Sequence, residues 1–194
     1  MKAIQLITLV FVMVGIMNNT RAQEGFAAEF RPGINFPIQE LDGADLTTGY
    51  GFEAKVSYWL MPHLSAYAGW GWNQFNVKET NSSDPKIDVD ETGYTVGFEL
   101  TLPIGEPPIY YFVNAGAVYN HIELENNTTN AVLDTDHGIG WQMGGGIAYE
   151  FVENWQLRPE IRFRSLSREL MIENVNSDLK LKYIGFGIGV LAKF

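Results

Sequence analysis

Beyond its hydroxyl groups, the chain offers three histidines for nucleophilic or acid–base chemistry, His63, His121 and His137, and it contains no cysteine. Without cysteine there is no disulfide framework, no thiolate metal site and no thiol nucleophile. A serine nucleophile needs a histidine base within hydrogen-bond reach. No serine lies near His121 or His137 in sequence, so Ser165 and Ser167 would have to approach through space. His63 follows Met61-Pro62 in a tight connection and reads as a solvated turn residue. Carboxylates gather in four polar stretches: Glu40, Asp42, Asp45; Glu79, Asp84, Asp88, Asp90; Glu125, Asp134, Asp136; and Glu173, Asp178. None has the ligand spacing of a calcium loop, and they read as a solvated acidic rim. Neither a catalytic residue nor a metal or cofactor is expected.

A different chemistry repeats along the chain. Glu29 and Arg31, Glu53 and Lys55, Glu99, Glu150, and the run Arg158, Glu160, Arg162, Arg164 all fall on alternate positions opposite apolar or aromatic residues. A period of two puts such residues on one face of a strand. The ionic chemistry is therefore that of one shared face.

Eight segments carry this alternation. The first is Gly25 to Phe36, with Pro32 marking a bend or a missing ladder bond. The second is Gly49 to Leu60, and the third is Leu64 to Val77, whose pattern slips near Gln74 as at a bulge or the end of a membrane zone. The fourth sets Tyr94, Val96, Phe98, Leu100 and Leu102 against Thr95, Gly97, Glu99 and Thr101. The fifth is Ile109 to Leu124, the sixth Gly138 to Phe151, and the seventh sets Leu157, Pro159, Ile161 and Phe163 against its four charges. The last is Leu179 to Phe194, with Ile184, Phe186, Ile188, Val190, Ala192 and Phe194 on one face and Tyr183, Gly185, Gly187, Gly189 and Lys193 on the other.

The connections alternate in length. Residues 61–63, 103–108 and 152–154 are tight, whereas 38–47, 78–91, 125–137 and 170–178 are long and polar. Outer-membrane barrels combine an even number of antiparallel strands with short periplasmic turns and longer extracellular loops. Aromatics gather beside the tight turns at Tyr58, Trp59, Tyr110, Tyr111, Phe151, Trp155 and Phe194, where an interfacial girdle belongs. These features predict an all-β fold, an eight-stranded antiparallel up-and-down transmembrane β-barrel with lipid outside. Its narrow lumen would hold Glu29, Arg31, Glu53, Lys55, Glu99, Glu150, Arg158, Glu160, Arg162 and Arg164, leaving room for side chains only. Isolated charges there would be costly, so both signs are expected to pair into a plug. The inward glycines at 144, 146, 185, 187 and 189 would make room for the arginines.

On this architecture, residues 24 to 194 resemble the small porin-like family of eight-stranded outer-membrane β-barrels of Gram-negative bacteria, similar to outer-membrane protein X and the barrel of outer-membrane protein A. The terminal Phe194 after alternating apolar residues resembles the signal by which the outer-membrane assembly machinery takes up its clients. The resemblance implies a cell-envelope protein of the bacterial outer membrane, with lipids, lipopolysaccharide and that machinery as partners and a monomeric state. Some barrels resembling this one are lipid A deacylases or acyltransferases with a Ser and a His near the outer rim. The expected deacylase pattern His-x-Ser is His121-Ile122-Glu123 here, so no enzyme activity is expected.

Met1-Lys2, the apolar block Ile4 to Met17 and a small residue at Ala22 are the parts of a secretory signal peptide. The block is shorter than a membrane-spanning helix needs. Residues 1–22 are thus expected to be a leader, cleaved after Ala22. The net charge of −10, more negative once Lys2 and Arg21 leave, argues against nucleic acid. Two functions remain: envelope structure or surface interaction through acidic loops, or a narrow conduit for small or hydrophobic solutes through a break in the wall at Pro32 or Pro159.

Overall fold

Each segment of alternating character forms a strand, and the strands close on themselves. The computed structural model describes residues 25–39, 41, 44–78, 87–126, 131–172 and 175–194; the expected leader, the acidic residues Glu40, Asp42, Glu79, Asp84 and Glu173, and residues 127–130 lie outside them. The elements are β1 (Phe26–Pro37), β2 (Gly49–Met61), β3 (Leu64–Asn76), β4 (Ile87–Pro103), β5 (Ile109–Asn126), β6 (Ala131–Asp134), β7 (Gly138–Val152), β8 (Trp155–Ile172) and β9 (Val175–Lys193). The sheet order β4-β3-β2-β1-β9-β8-β7-β5, completed by β4 pairing with β5, is a closed antiparallel barrel of eight strands. The short β6 turns back onto the end of β5, from Glu123↔Asp134 to Asn126↔Ala131.

The lipid-facing alternation is visible in exposure. On β9, Ile184, Phe186, Ile188 and Val190 are exposed while Tyr183, Gly185, Gly187, Gly189 and Leu191 are buried. Arg158, Glu160, Arg162 and Arg164 on β8 are buried, and Leu157 and Ile161 between and before them are exposed. A soluble barrel would show the reverse.

Three of the stretches expected to be loops are partly strand. β4 begins at Ile87, inside the expected 78–91 loop, and β8 and β9 run to Ile172 and from Val175, leaving almost nothing of the expected 170–178 loop. Part of the expected 125–137 loop is β6. A strand needs about 9–11 residues to cross a bilayer, and β4, β5, β8 and β9 have 17 to 19. The barrel therefore stands out beyond the membrane at its long-loop end. In that extension the sidedness inverts: polar residues face out to water, while Leu41, Phe75, Val89, Val118, Ile122, Leu166 and Leu181 pack inside as an apolar cap. Leu41 enters this cap from the β1–β2 loop, which is fastened by the bridges Leu41↔Ala44 and Leu46↔Val77.

The slip near Gln74 is not a bulge. The β3–β4 register runs unbroken through Gln74↔Asp90 to Asn76↔Asp88, and Phe75 turns inward as the first residue of β3 in the apolar cap. The register shifts lie instead at Trp59/Met61 and Glu150/Val152, beside tight turns. The two strand prolines do interrupt ladders. β1 and β9 pair at Phe30↔Val190 and again at Gly33↔Gly187 with nothing between, and β7 and β8 at Gly146↔Glu160 and again at Tyr149↔Leu157. Proline has no N–H to give the ladder.

Part of the expected aromatic girdle faces elsewhere. Tyr58, Tyr111 and Phe151 face outward, but Trp59 and Tyr110 line an opening of about 730 Å³ at the short-turn end. Lys193 lies over the Tyr110 ring, 5.7 Å from its centroid. Phe194 stacks on Phe26, with centroids 6.4 Å apart, and its N–H donates to the Phe26 carbonyl at 2.9 Å.

Candidate functional site

The lumen is filled by side chains arranged in tiers along the barrel axis. At the short-turn mouth, Lys193 pairs with Glu150 at 2.6 Å and Gln156 donates to the same carboxylate at 3.2 Å. Glu150, expected within the lumen, stays partly exposed in this position. Above it, the Lys55 ammonium bridges Glu29 and Glu99 at 3.0 Å each. Arg158 donates to Glu99 at 2.5 Å and lies 3.9 Å above the Phe112 ring centroid. In the next tier, Arg31 binds both Glu53 and Glu160, and Arg162 binds Glu53. Thr95 donates to Glu53 at 2.9 Å and Asn114 to Glu160 at 3.4 Å. The uppermost polar tier centres on Glu91. Its carboxylate accepts two bonds from Arg164 at 2.9 and 3.1 Å, and one each from Asn73 at 2.6 Å, Asn120 at 2.8 Å and the Tyr183 hydroxyl at 2.7 Å. Arg164 turns its other edge to Gln142 Oε1.

Of the ten charged residues singled out from sequence, Glu29, Arg31, Glu53, Lys55, Glu99, Arg158, Glu160, Arg162 and Arg164 lie buried in this network, and Glu150 stands at its mouth. Sequence reasoning missed Glu91, because its polar surroundings placed it in a loop. One signal could have found it: Glu91 shares the parity of Gly93, Thr95, Gly97 and Glu99 on one strand face. With Glu91 the buried charges number five acids and five bases. Each tier is also neutral: Glu29 and Glu99 face Lys55 and Arg158, Glu53 and Glu160 face Arg31 and Arg162, and Glu91 faces Arg164. Opposed charges at these distances offset each other's desolvation, and neutral donors add bonds to Glu53, Glu160 and Glu91.

Backbone close approach makes part of the space. A Cβ on Gly187 would meet the Arg31 side chain at 2.9 Å, and one on Gly189 would meet Glu29 Oε1 at 2.3 Å. Of the five glycines expected to seat arginines, Gly187 alone does so, since the others lie against Glu29, Asn35, Glu160 and Phe112. Between the two upper tiers a cavity of about 10 Å³, lined by Arg31, Arg162, Asn35 and Asn73, has room for one water. The apolar cap closes directly over Glu91: the Tyr183 ring, whose hydroxyl binds Glu91, packs on Phe75 with centroids 5.2 Å apart.

His63 is exposed in its turn and lines the short-turn mouth. His121 and His137 lie together at the other end, ring centroids 4.6 Å apart and tilted, and His137 also meets the Tyr119 ring at 5.3 Å. Ser165 and Ser167 lie on β8, separated from His121 by the whole width of β7. Among the described residues, no group of three or more His, Asp or Glu is placed to hold a metal ion.

Outside the barrel, above the lipid-facing Tyr94 and Tyr119, acidic residues oppose one another across two strand pairs: Asp88↔Glu125, Asp90↔Glu123 and Glu123↔Asp134. Partial burial, with Asp88, Glu123 and Glu125 close by, pushes the Asp90 carboxyl above its usual value. A raised carboxyl pKa means that the folded state holds the proton more tightly than the unfolded chain. The penalty is fully present above the folded pKa and is relieved as pH falls through it. Asp90→Asn is therefore expected to stabilise the protein at pH 7 by about 0.2–1 kcal/mol, the scale of a like-charged cross-strand pair, with the gain shrinking towards pH 4. Urea unfolding of both proteins across that range measures it.

Comparison with known proteins agrees with this geometry. A family profile described as outer membrane protein beta-barrel domain matches residues 7–194. No curated protein sequence matches. Among solved structures, the outer membrane protein OprG from Pseudomonas aeruginosa is similar with a TM-score of 0.64 at 14% identity, covering 90% of this chain and 97% of that one. Neisserial surface protein A gives 0.60 at 12% identity, with 90% and 100% covered. Outer membrane protein W of E. coli gives 0.54 at 13% identity, with 90% and 100% covered.

Proposed function

Because the chain belongs to the outer membrane protein beta-barrel family and resides in the bacterial outer membrane, we propose that it is a non-enzymatic, closed barrel serving envelope structure and surface interaction. The observation that carries this reading is the stack of neutral ionic tiers under an apolar cap. An ion entering from the short-turn mouth would have to displace a salt bridge at each of three levels and then cross buried leucine, valine and phenylalanine side chains. Removing one partner of a buried pair costs about 3–5 kcal/mol, which sets the scale of the resistance that each tier offers to an entering ion. The extension beyond the membrane is the part available to partners. Among the described residues it is built largely of long strand pairs, which suits a surface that presents a fixed shape.

Purified protein in a planar bilayer is expected to give no steady conductance. Large, stable current steps would overturn the closed-lumen reading. The separation of the two serines from His121 supports the absence of a Ser–His hydrolase, and an unchanged lipid A profile after deletion of the gene is the corresponding expectation.

A second reading, a path for small apolar solutes, is favoured by one feature: the upper lumen is lined with apolar side chains, and Leu41 reaches it from a loop. If this space admits a guest, Leu41→Ala should bind an apolar fluorescent dye saturably where the wild type does not. Equal dye uptake by both proteins would leave the cap as packing alone.

A further inference from the structure

Two imidazoles meet on the outer wall of the extension. His121, on β5, stands two positions beyond the lipid-facing Tyr119, and His137 is the last residue before β7. Their ring centroids are 4.6 Å apart and the rings are tilted by 44° to one another. Both backbones are held from two sides. Asn120↔Gly138 is the last rung of the β5–β7 ladder. Beyond it the Thr135 N–H donates to the Ile122 carbonyl and the Ile122 N–H to the Thr135 hydroxyl, each at 2.9 Å. Between these fastenings the two histidines face one another as a cross-strand pair does. His121 is half-buried, whereas His137 is exposed and its ring has room to turn.

The Nδ1 atom of His121 is shielded from solvent and has no hydrogen-bond partner among the described residues. A polar nitrogen left in that state costs free energy, and the ring beside it is a second imidazole. A cation that accepts nitrogen ligands satisfies both rings at once. The surroundings favour one: Asp90 and Glu123 oppose each other one step further along the same face, Asp134 pairs with Glu123, and Asp136 precedes His137. Asp90 Oδ1 is likewise shielded and has no hydrogen-bond partner among the described residues. None of the register partners of His121, Glu123 or Asp90 is cationic. Negative charge gathered in this way raises the local concentration of cations.

We propose that His121 and His137 together bind one late first-row divalent metal ion, Cu²⁺ most tightly, with water in its remaining positions. Imidazole is the ligand these ions share, and the affinity of a nitrogen site rises along the series to Cu²⁺. Metal–nitrogen bonds of about 2.0–2.1 Å put two ligating nitrogens about 3–4 Å apart, a separation that rings centred 4.6 Å apart reach when the His137 ring turns. Two protein ligands make an open site, unlike the four that close a structural zinc site. The carboxylates supply charge around it, and among the described residues none is placed as a third ligand. The site lies on the outer wall, so it stands whether or not the lumen conducts. A bound ion would also link β5 to the residues that lead into β7.

The test uses the whole barrel, purified without a polyhistidine tag and folded in detergent micelles, with Cu²⁺ alone as the probe. Equilibrium dialysis reads binding, and electron spin-echo envelope modulation counts the coordinated imidazoles through their remote ring nitrogens. The wild type should take up one Cu²⁺ held by two imidazoles. His121→Gln and His137→Gln should each leave one imidazole on the ion and weaken binding by at least about tenfold, since even an outer partner of a metal ligand is worth about 10–100-fold. His63→Gln, at the far mouth, should behave as the wild type. No saturable uptake by the wild type, fewer than two imidazoles on its ion, undiminished affinity in the His121 or His137 variant, or lost binding in His63→Gln overturns the site. Heat-dependent migration on a denaturing gel is recorded for each protein, and the wild-type imidazole count decides the question even if a variant fails to fold.

Discussion

Glu53→Ala is expected to lower the unfolding free energy of the barrel by about 3–5 kcal/mol, the range for removing one partner of a buried ion pair. Glu53 is the carboxylate that Arg31 and Arg162 share, and Thr95 donates to its other oxygen at 2.9 Å. Arg164 Nη2 lies 3.8 Å from that same oxygen. Deleting the carboxylate turns a neutral tier into one with an excess positive charge, held where water cannot reach both guanidinium groups. Glu53→Gln should cost less, because its one amide oxygen still accepts from either Thr95 or the arginines. Urea titration of the protein folded in detergent micelles, followed by tryptophan fluorescence, gives the comparison. A loss below about 0.5 kcal/mol for the alanine variant, the scale of an unremarkable surface change, would mean that the lumen is wet enough to screen its charges.

The second large effect is a non-additivity. Glu91→Leu alone strands Arg164, and Arg164→Met alone strands Glu91, so each single change is expected to cost about 3–5 kcal/mol. The double variant removes both charges together and should cost less than the sum of the singles by about 2–3 kcal/mol. It will not return to the wild-type value, since Asn73, Asn120 and the Tyr183 hydroxyl lose their acceptor and Gln142 loses its donor. Strict additivity would show that the two groups do not sense one another, and the tier description would be wrong.

The membrane-spanning part was legible because lipid and a side-chain-filled lumen impose opposite demands on alternate residues. That contrast placed ten charges on the lumen side without any knowledge of distances, nine of which lie buried there, and it placed Tyr183 there too. The extension was not legible for the same reason. Above the bilayer the outer solvent is water, so Val89, Ile122, Leu166 and Leu181 turn inward while Asp88, Asp90, Glu123 and Glu125 turn out. A rule that sends greasy residues outward reads such a segment as an irregular polar stretch. Glu91 sits at the crossing between the two regimes, a charged lumen residue in a segment that otherwise obeys the aqueous pattern, and it was assigned to a loop. The uncharged members Gln142, Asn114 and Thr95 carried no signal beyond parity, because an amide or hydroxyl alone does not announce that it serves an ion pair.

The interrupted ladder at Pro32 bears on how the ring is joined. Every other neighbouring pair of staves is consecutive along the chain but for the short β6, so those contacts form between segments close in sequence, whereas β1 meets β9 only after the whole sequence has been gathered. The β8–β9 ladder is continuous from Trp155↔Ala192 to Ile172↔Val175, a ready-made flap with its far edge free. The last zip to be fastened thus has missing teeth, as the β7–β8 seam has at Pro159, and the junction of first and last strands is where the cylinder is completed.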